Sequence, residues 1–125
     1  MNHFLIVFVG GGLGAALRHG VNRLSLAWFG PSFPVGTLFV NVAGSLAMGL
    51  LIGIFAAMEP VSNNMRLFLA TGILGGFTTF SAFSLDALTL WERGEFGFAI
   101  LYVAASVLLS LAAVAAGFFL TRVLP

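Results

Sequence analysis

The sequence predicts an all-α integral membrane protein with four transmembrane helices, and two observations support this prediction. Hydrophobic residues make up 60% of the 125 residues and charged residues only 7%, whereas soluble domains are roughly 25% charged. Four apolar segments also reach the length of about 20 residues that a membrane-spanning helix needs. The length of the chain predicts a single domain, 1–125.

Net charge and cysteine content exclude several other classes of protein. A net charge of +1 leaves no basic surface of the kind that a nucleic-acid-binding protein needs. The absence of cysteine excludes disulfides, thiolate chemistry and cysteine-ligated metals. The sequence therefore predicts no nucleic-acid partner.

Short polar or Gly/Pro-containing stretches separate the four apolar segments. The predicted helices are about 3–28, 35–58, 66–91 and 96–122. Pro31 and Pro34 mark the turn between the first two, and Pro60 stops the second. Trp28 and Trp91 lie at segment ends, where aromatic residues meet the membrane surface. The residues before position 4 lack the basic region of a cleavable signal peptide, so we expect the first segment to remain as a helix.

The five arginines are balanced between the two predicted sides of the membrane. Arg66 and Arg122 flank one side, whereas Arg18, Arg23 and Arg93 flank the other. Because an excess of Lys and Arg on one side sets orientation, this balance gives almost no preference. We therefore predict dual topology, in which the chain inserts both ways up.

The first helix contains a glycine-rich stretch that allows two interpretations. Residues 10–15 match G-x-G-x-x-A, the dinucleotide-binding fingerprint. That site also needs a βαβ unit and an acidic residue about 20 positions further on, and the first acidic residue is Glu59. The spacing Gly10-x-x-x-Gly14 is instead typical of close helix packing.

Arg18 is expected to face a cavity, a protein partner or the membrane interface, because a charge at the centre of a membrane helix is costly. Asp86 is a candidate partner for it, or else lies near the mouth of a vestibule.

Two helices carry polar residues at intervals of four. The second helix has Thr37, Asn41, Ser45, Gly49, Gly53 and Ala57, and the fourth has Tyr102, Ser106 and Ser110. A helix–helix seam with hydroxyls bonded to the backbone would explain the small residues. It does not explain the two amide donors of Asn41, which need partners in an apolar environment. The two stripes together favour a polar track across the membrane.

The third helix is expected to break near its middle, within 75–79. The paired glycines Gly75 and Gly76 cost about 2 kcal/mol relative to alanine in a helix. Non-helical backbone inside a membrane is tolerated where it is buried in protein or lines a cavity, and it supplies groups for ion sites. A kink for packing is the alternative. Phe80 and Phe83 follow; such pairs are usually core residues, but their positive ring edges can also contact a small anion.

Four motifs make the sequence similar to the Fluc (CrcB) family of bacterial fluoride channels, over essentially the whole chain. They are Gly14-Ala15-x-x-Arg18, Gly36-Thr37-Leu38-x-x-Asn41-x-x-Gly44, Gly75-Gly76-x-Thr78-Thr79-Phe80-Ser81-x-Phe83-Ser84 and Tyr102-x-x-x-Ser106. Two positions depart from the family pattern. Ala82 stands where the family commonly has threonine, and His19 stands where an aromatic residue is usual.

The resemblance implies an antiparallel, dual-topology homodimer with two pores, each lined by both subunits, in the bacterial cytoplasmic (inner) membrane. It implies passive, voltage-driven fluoride efflux that lowers cytoplasmic fluoride, and no enzymatic activity. The implied fluoride pathway consists of Asn41, Phe80, Phe83, Thr37, Thr79, Ser81, Tyr102, Ser106, Ser110 and Arg18. A structural sodium ion at the dimer interface would be held by the backbone carbonyls of Gly75 and Thr78. The implied partners are a second copy, fluoride and lipid.

Two other functions are weighed against this one. A small dual-topology multidrug or cation exporter needs a carboxylate buried in an early helix, and the first two segments have none before Glu59. A non-transporting assembly subunit would explain the glycines but not the polar stripes or the predicted break.

Overall fold

A computed structural model describes residues 2–58 and 60–123, and it contains four helices that are long and apolar enough to cross a membrane. They are α1 (His3–Phe29), α2 (Val35–Ala57), α3 (Asn63–Glu92) and α4 (Phe96–Val123). These helices confirm the prediction of an all-α protein with four apolar spans. Glu59, which figured in the sequence argument, lies outside the described residues, as do position 1 and positions 124–125.

Side-chain and glycine caps define where the helices begin and end. The Asn2 side chain accepts a hydrogen bond from the Phe4 N–H at 2.7 Å and begins α1. Gly30, with φ +75°, ends α1 in a conformation that favours glycine. Ser62 caps α3 by accepting a hydrogen bond from the Met65 N–H at 3.1 Å. Local caps of this kind therefore mark the ends of the spans described above.

Glycines on α2 and α4 bring these two helices into direct backbone contact. A Cβ atom at Gly49 would overlap the Val114 carbonyl, and one at Gly117 would overlap the Leu46 carbonyl. Gly53 lies directly against the Thr121 side chain. The small half of the α2 stripe is therefore a seam with α4, as its pattern predicts.

A second glycine seam joins α1 to the first half of α3. A Cβ atom at Gly10 would lie 2.7 Å from the Phe68 carbonyl oxygen and 3.0 Å from Gly72 Cα. Leu67–Leu74 of α3 forms a π-helix along this seam, a feature that the sequence analysis did not predict. The glycine-rich stretch is thus part of a continuous helix and serves helix packing.

The third helix is interrupted at Thr78 and Thr79, inside the predicted range of 75–79. Thr78 has ψ 157° and Thr79 has φ −152°, both extended conformations, whereas Gly75–Phe77 is still helical. The chain resumes as a helix over Phe80–Glu92, with the Thr79 hydroxyl accepting a hydrogen bond from the Ala82 N–H at 3.2 Å. Threonine suits this position because it is β-branched and its hydroxyl can cap the following helix.

Candidate functional site

An open groove of about 450 Å³ lies between α2, the α3 break and α4. It brings together six of the side chains assigned to the pathway by resemblance: Asn41, Thr79, Phe80, Phe83, Ser106 and Ser110. Thr78 and Ser45 also line it, and Met48, Val107, Leu111 and Val114 form its apolar wall. These apolar residues were not predicted from the sequence, although Met48 lies seven positions after Asn41 and so shares its helix face.

Asn41 is hydrogen-bonded to the backbone of the α3 break through both ends of its amide. Its Oδ1 accepts the Thr79 N–H at 2.7 Å, and its Nδ2 donates to the Thr79 carbonyl at 2.9 Å. Only this orientation of the amide satisfies both backbone groups. Nδ2 carries a second hydrogen, and the Asn41 side chain lines the groove.

Ser106 offers an unused hydroxyl to the same groove. The residue is only 6% exposed, and its Oγ has no hydrogen-bond partner among the described residues. A buried polar group without a partner costs about 1–3 kcal/mol. Ser106 therefore lines the groove with a buried hydroxyl that no described residue bonds.

Three aromatic rings form a chain beside the groove. The Phe83 ring centroid lies 5.3 Å from that of Phe80 and 5.3 Å from that of Tyr102. Phe83 is buried and belongs to a core cluster with Leu90 and Ala99, whereas Phe80 is 77% exposed. Phe83 thus serves both as a core residue and as part of the groove lining.

A second cavity of about 260 Å³ lies where the α1–α2 turn meets α3. Thr37 and Asp86 line it together with Asn22 and Ser25. The fully buried Tyr102 hydroxyl donates to Asp86 Oδ2 at 3.1 Å. Because the Tyr102 ring also contacts Phe83, this side chain lies between the second cavity and the groove. Asp86 therefore lines the second cavity and accepts a hydrogen bond there from Tyr102.

Arg18 and Ser81 are near the break but do not line the groove of a single chain. Arg18 Nε donates to the Gly76 carbonyl at 3.0 Å, whereas Asp86 accepts from the Tyr102 hydroxyl. Ser81 is exposed, with its Oγ 3.4 Å from Thr79 Oγ1. The contact of Arg18 with the break was not predicted, because the sequence gives no distance between α1 and residue 76.

The carbonyls of Gly75 and Thr78 do not accept the N–H hydrogen bonds that they would receive in a regular helix. In a continuous helix they would accept from the N–H groups of Thr79 and Ala82, four residues further on. The Thr79 N–H donates to Asn41 instead, and the Ala82 N–H donates to the Thr79 hydroxyl. These two neutral oxygens are the kind of ligand that a hard cation accepts.

The fold and the groove define a small multi-pass membrane protein with a neutral polar path beside a broken helix. The family model described as "CrcB-like protein, Camphor Resistance (CrcB)" matches residues 5–118. The chain belongs to this family.

Curated relatives match the chain over nearly its full length. A protein of Rhodopseudomonas palustris is 56% identical over 119 residues, which cover 95% of this chain and 96% of the relative. One of Methylobacterium nodulans is 58% identical over 122 residues, 98% of each chain. One of Mesorhizobium japonicum is 53% identical over 125 residues, 100% of each chain. All three are named "Fluoride-specific ion channel FluC". The chain is a multi-pass protein of the bacterial inner membrane.

Proposed function

We propose that this protein is a fluoride-selective anion channel that lowers cytoplasmic fluoride by passive efflux. Its relatives carry the name of a fluoride-specific channel over essentially the whole chain. The single structural observation that carries the proposal is the buried, unpartnered Ser106 hydroxyl in a groove that Asn41 also lines. A small anion supplies the acceptor that both groups can use.

The groove suits an ion that holds its water tightly. Fluoride leaves water only where donors replace its hydration shell along the route. The Asn41 amide, the Ser106 and Ser110 hydroxyls and the positive ring edges of Phe80 and Phe83 are such donors. No charged side chain is among the described residues that line the groove, so the ion is solvated without being held too strongly to leave.

We propose that the fluoride route runs from the groove to the second cavity. Thr37 lies in that cavity and Tyr102 lies between the cavity and Phe83. We propose that fluoride passes between these residues, with Thr79 and Ser81 beside the break as further hydroxyl donors. Conduction of this kind needs no covalent step, and therefore no enzymatic group.

The membrane potential supplies the driving force for efflux. A potential of 100 mV, negative inside, is worth about 2.3 kcal/mol for one charge. At equilibrium this permits a cytoplasmic fluoride concentration roughly fifty-fold below the external one, since about 1.4 kcal/mol is tenfold. An anion-specific passive pore is therefore sufficient to lower internal fluoride.

We further propose that two chains associate as an antiparallel homodimer with two pores. The groove is open on one side, and Phe80 at its edge is 77% exposed. A second copy would close the groove and contribute residues to each pore. The balanced arginines, with Arg66 and Arg122 at one end of the bundle, support insertion in both orientations.

We also propose a structural sodium ion at the dimer interface, bound by the carbonyls at the break. Gly75 and Thr78 present oxygens whose helical donors bond elsewhere, and a second copy would add the same two groups. When bound, sodium would contribute a fixed positive charge between the two broken helices. Arg18 would add a further positive charge near the break.

The proposal is tested by fluoride efflux from liposomes that contain only the purified protein. A potassium gradient with a potassium ionophore sets the voltage, and a fluoride electrode records the efflux. We expect fluoride to leave at a rate that follows the applied voltage, with chloride efflux far slower. Protein-free liposomes are the control, and an absence of fluoride movement from liposomes holding the dimer would refute the channel.

The multidrug or cation exporter has less support from the structure. Proton exchange for a lipophilic cation needs a buried carboxylate, and within the described residues α1 and α2 contain none. Uptake of a fluorescent cation into the same liposomes under a proton gradient separates the two functions. We expect no such uptake.

A further inference from the structure

The break in α3 leaves backbone groups without helical partners inside the membrane span. In a continuous helix the Gly76 carbonyl would accept from the Phe80 N–H, but Phe80 begins the second half of α3 and does not make this bond. The Thr79 N–H is likewise removed from the Gly75 carbonyl. Unsatisfied backbone groups are especially unfavourable in the membrane, where water is not available as a partner.

Two side chains from two different helices replace the missing bonds. Arg18 of α1 donates through Nε to the Gly76 carbonyl at 3.0 Å. Asn41 of α2 bonds both the N–H and the carbonyl of Thr79, at 2.7 and 2.9 Å. Both side chains are partly buried. They approach the break from separate neighbouring helices, so residues 76–79 are held at each end.

We infer that Arg18 and Asn41 are positioning residues that hold the α3 break in place. They thereby set the position of the Gly75 and Thr78 carbonyls and of the Phe80 ring that follows. This assigns Arg18 a role distinct from direct contact with the anion. Any effect of these two residues on sodium binding or fluoride flux rests on the proposed function, whereas their effect on the position of the backbone does not.

The glycine seam explains how Arg18 reaches the break. A Cβ atom at Gly76 would lie 3.0 Å from Gly11 Cα, so α1 runs directly against this part of α3. Gly11, Gly14 and Arg18 are spaced i, i+3 and i+7, and therefore lie on one face of α1. The guanidinium donates a charge-assisted hydrogen bond to the Gly76 carbonyl, and such a bond is stronger than one from a neutral group.

Hydrogen–deuterium exchange tests the positioning directly, without any measurement of transport. The variants are Arg18→Met and Asn41→Leu, each of which removes the hydrogen bonds to the break. The matched controls are Arg23→Met, which replaces an exposed arginine on the same helix, and Ser45→Ala, which alters the next turn of α2. All are compared with the parent protein in the same lipid nanodiscs.

We expect amides within 75–82 to exchange about tenfold faster or more in Arg18→Met and Asn41→Leu, and at the parental rate in both controls. Exchange within 44–53, at the α2–α4 seam, should stay at the parental rate in all variants. Parental exchange of 75–82 in Arg18→Met would overturn the inference. Faster exchange throughout the chain would assign Arg18 to general stability and would overturn it as well.

A second variant covers the case in which Arg18→Met does not fold. Arg18→Lys keeps a charged donor but replaces the planar fork with a single ammonium group. In Arg18→Lys, we expect the amides within 75–82 to exchange faster than in the parent and more slowly than in Arg18→Met. We also expect a tenfold or greater rise in the sodium concentration that gives half-maximal fluoride flux. Unchanged exchange together with an unchanged sodium requirement would refute the positioning role. Absence of fluoride flux in the parent would instead refute the proposed function.

Discussion

Ser106→Ala should have opposite effects on stability and on fluoride flux. The Ser106 Oγ is buried and has no hydrogen-bond partner among the described residues. Its removal therefore eliminates a buried unsatisfied group and should raise the free energy of unfolding by about 1 kcal/mol, or leave it unchanged. If the hydroxyl donates to fluoride in the pore, its loss removes a hydrogen bond to a charged group. Such bonds contribute roughly 1.5–3 kcal/mol, which predicts a flux roughly ten- to a hundredfold lower.

Two measurements on one preparation decide this prediction. Denaturant unfolding in detergent gives the stability, and fluoride efflux from liposomes gives the flux. Thr89→Val is the control, because its hydroxyl donates to the Leu85 carbonyl at 2.8 Å on the same half of α3 as Phe83. It should lower stability slightly and leave flux unchanged. If Ser106→Ala were destabilised by more than 1 kcal/mol with normal flux, the hydroxyl would be structural and the reasoning would fail.

Three further predictions concern other parts of the structure. Phe83→Ile should lower fluoride flux at least tenfold and leave the size-exclusion profile of the protein unchanged; normal flux would show that the Phe83 ring edge does not contact the ion. Tyr102→Phe should lower fluoride flux several-fold because Asp86 loses its hydroxyl donor. Adding Asp86→Asn to the same chain should restore the flux, and a flux that stays low would contradict the role of the Tyr102–Asp86 hydrogen bond. Gly14→Ala should lower unfolding free energy by roughly 1–3 kcal/mol because its Cβ overlaps the α3 backbone. Gly12 has open space around it, so Gly12→Ala should leave the unfolding free energy unchanged. An equal loss of stability in both variants would contradict close packing of Gly14 against α3.

The four spans and the break could be predicted because each depends on local composition. Hydrophobic length fixes the spans, and the glycine pair followed by threonines weakens the helix at 75–79. The exact site of the break could not be predicted. Gly75 and Gly76 stay helical, and Thr78 and Thr79 leave the helix instead, where Asn41 and the Thr79 hydroxyl bond the freed backbone groups.

The residues that line the groove were only partly predictable from the sequence. Helical spacing places Asn41 and Ser45 on one face of α2, and Ser106 and Ser110 on one face of α4. Helical spacing does not show which faces of the two helices meet. The stripes therefore place Thr37 and Tyr102 in one track with Asn41 and Ser106, whereas in the structure Thr37 lines the second cavity. Long-range contacts such as that of Arg18 with Gly76 depend on the packing of α1 against α3, which local patterns do not encode.

The π-helix of α3 affects how the length of this chain can change in evolution. A π-turn contains one more residue than an α-turn, and Leu67–Leu74 uses this wider turn while it packs against α1. Deleting one residue there would convert the wide turn to α-helical geometry, so the residues on either side would keep nearly the same rotation relative to each other. Deleting one residue from a regular α-helix such as α2 would instead rotate the rest of the helix by about 100°. Among homologous sequences, single-residue gaps should therefore be better tolerated within 67–74 than within α2.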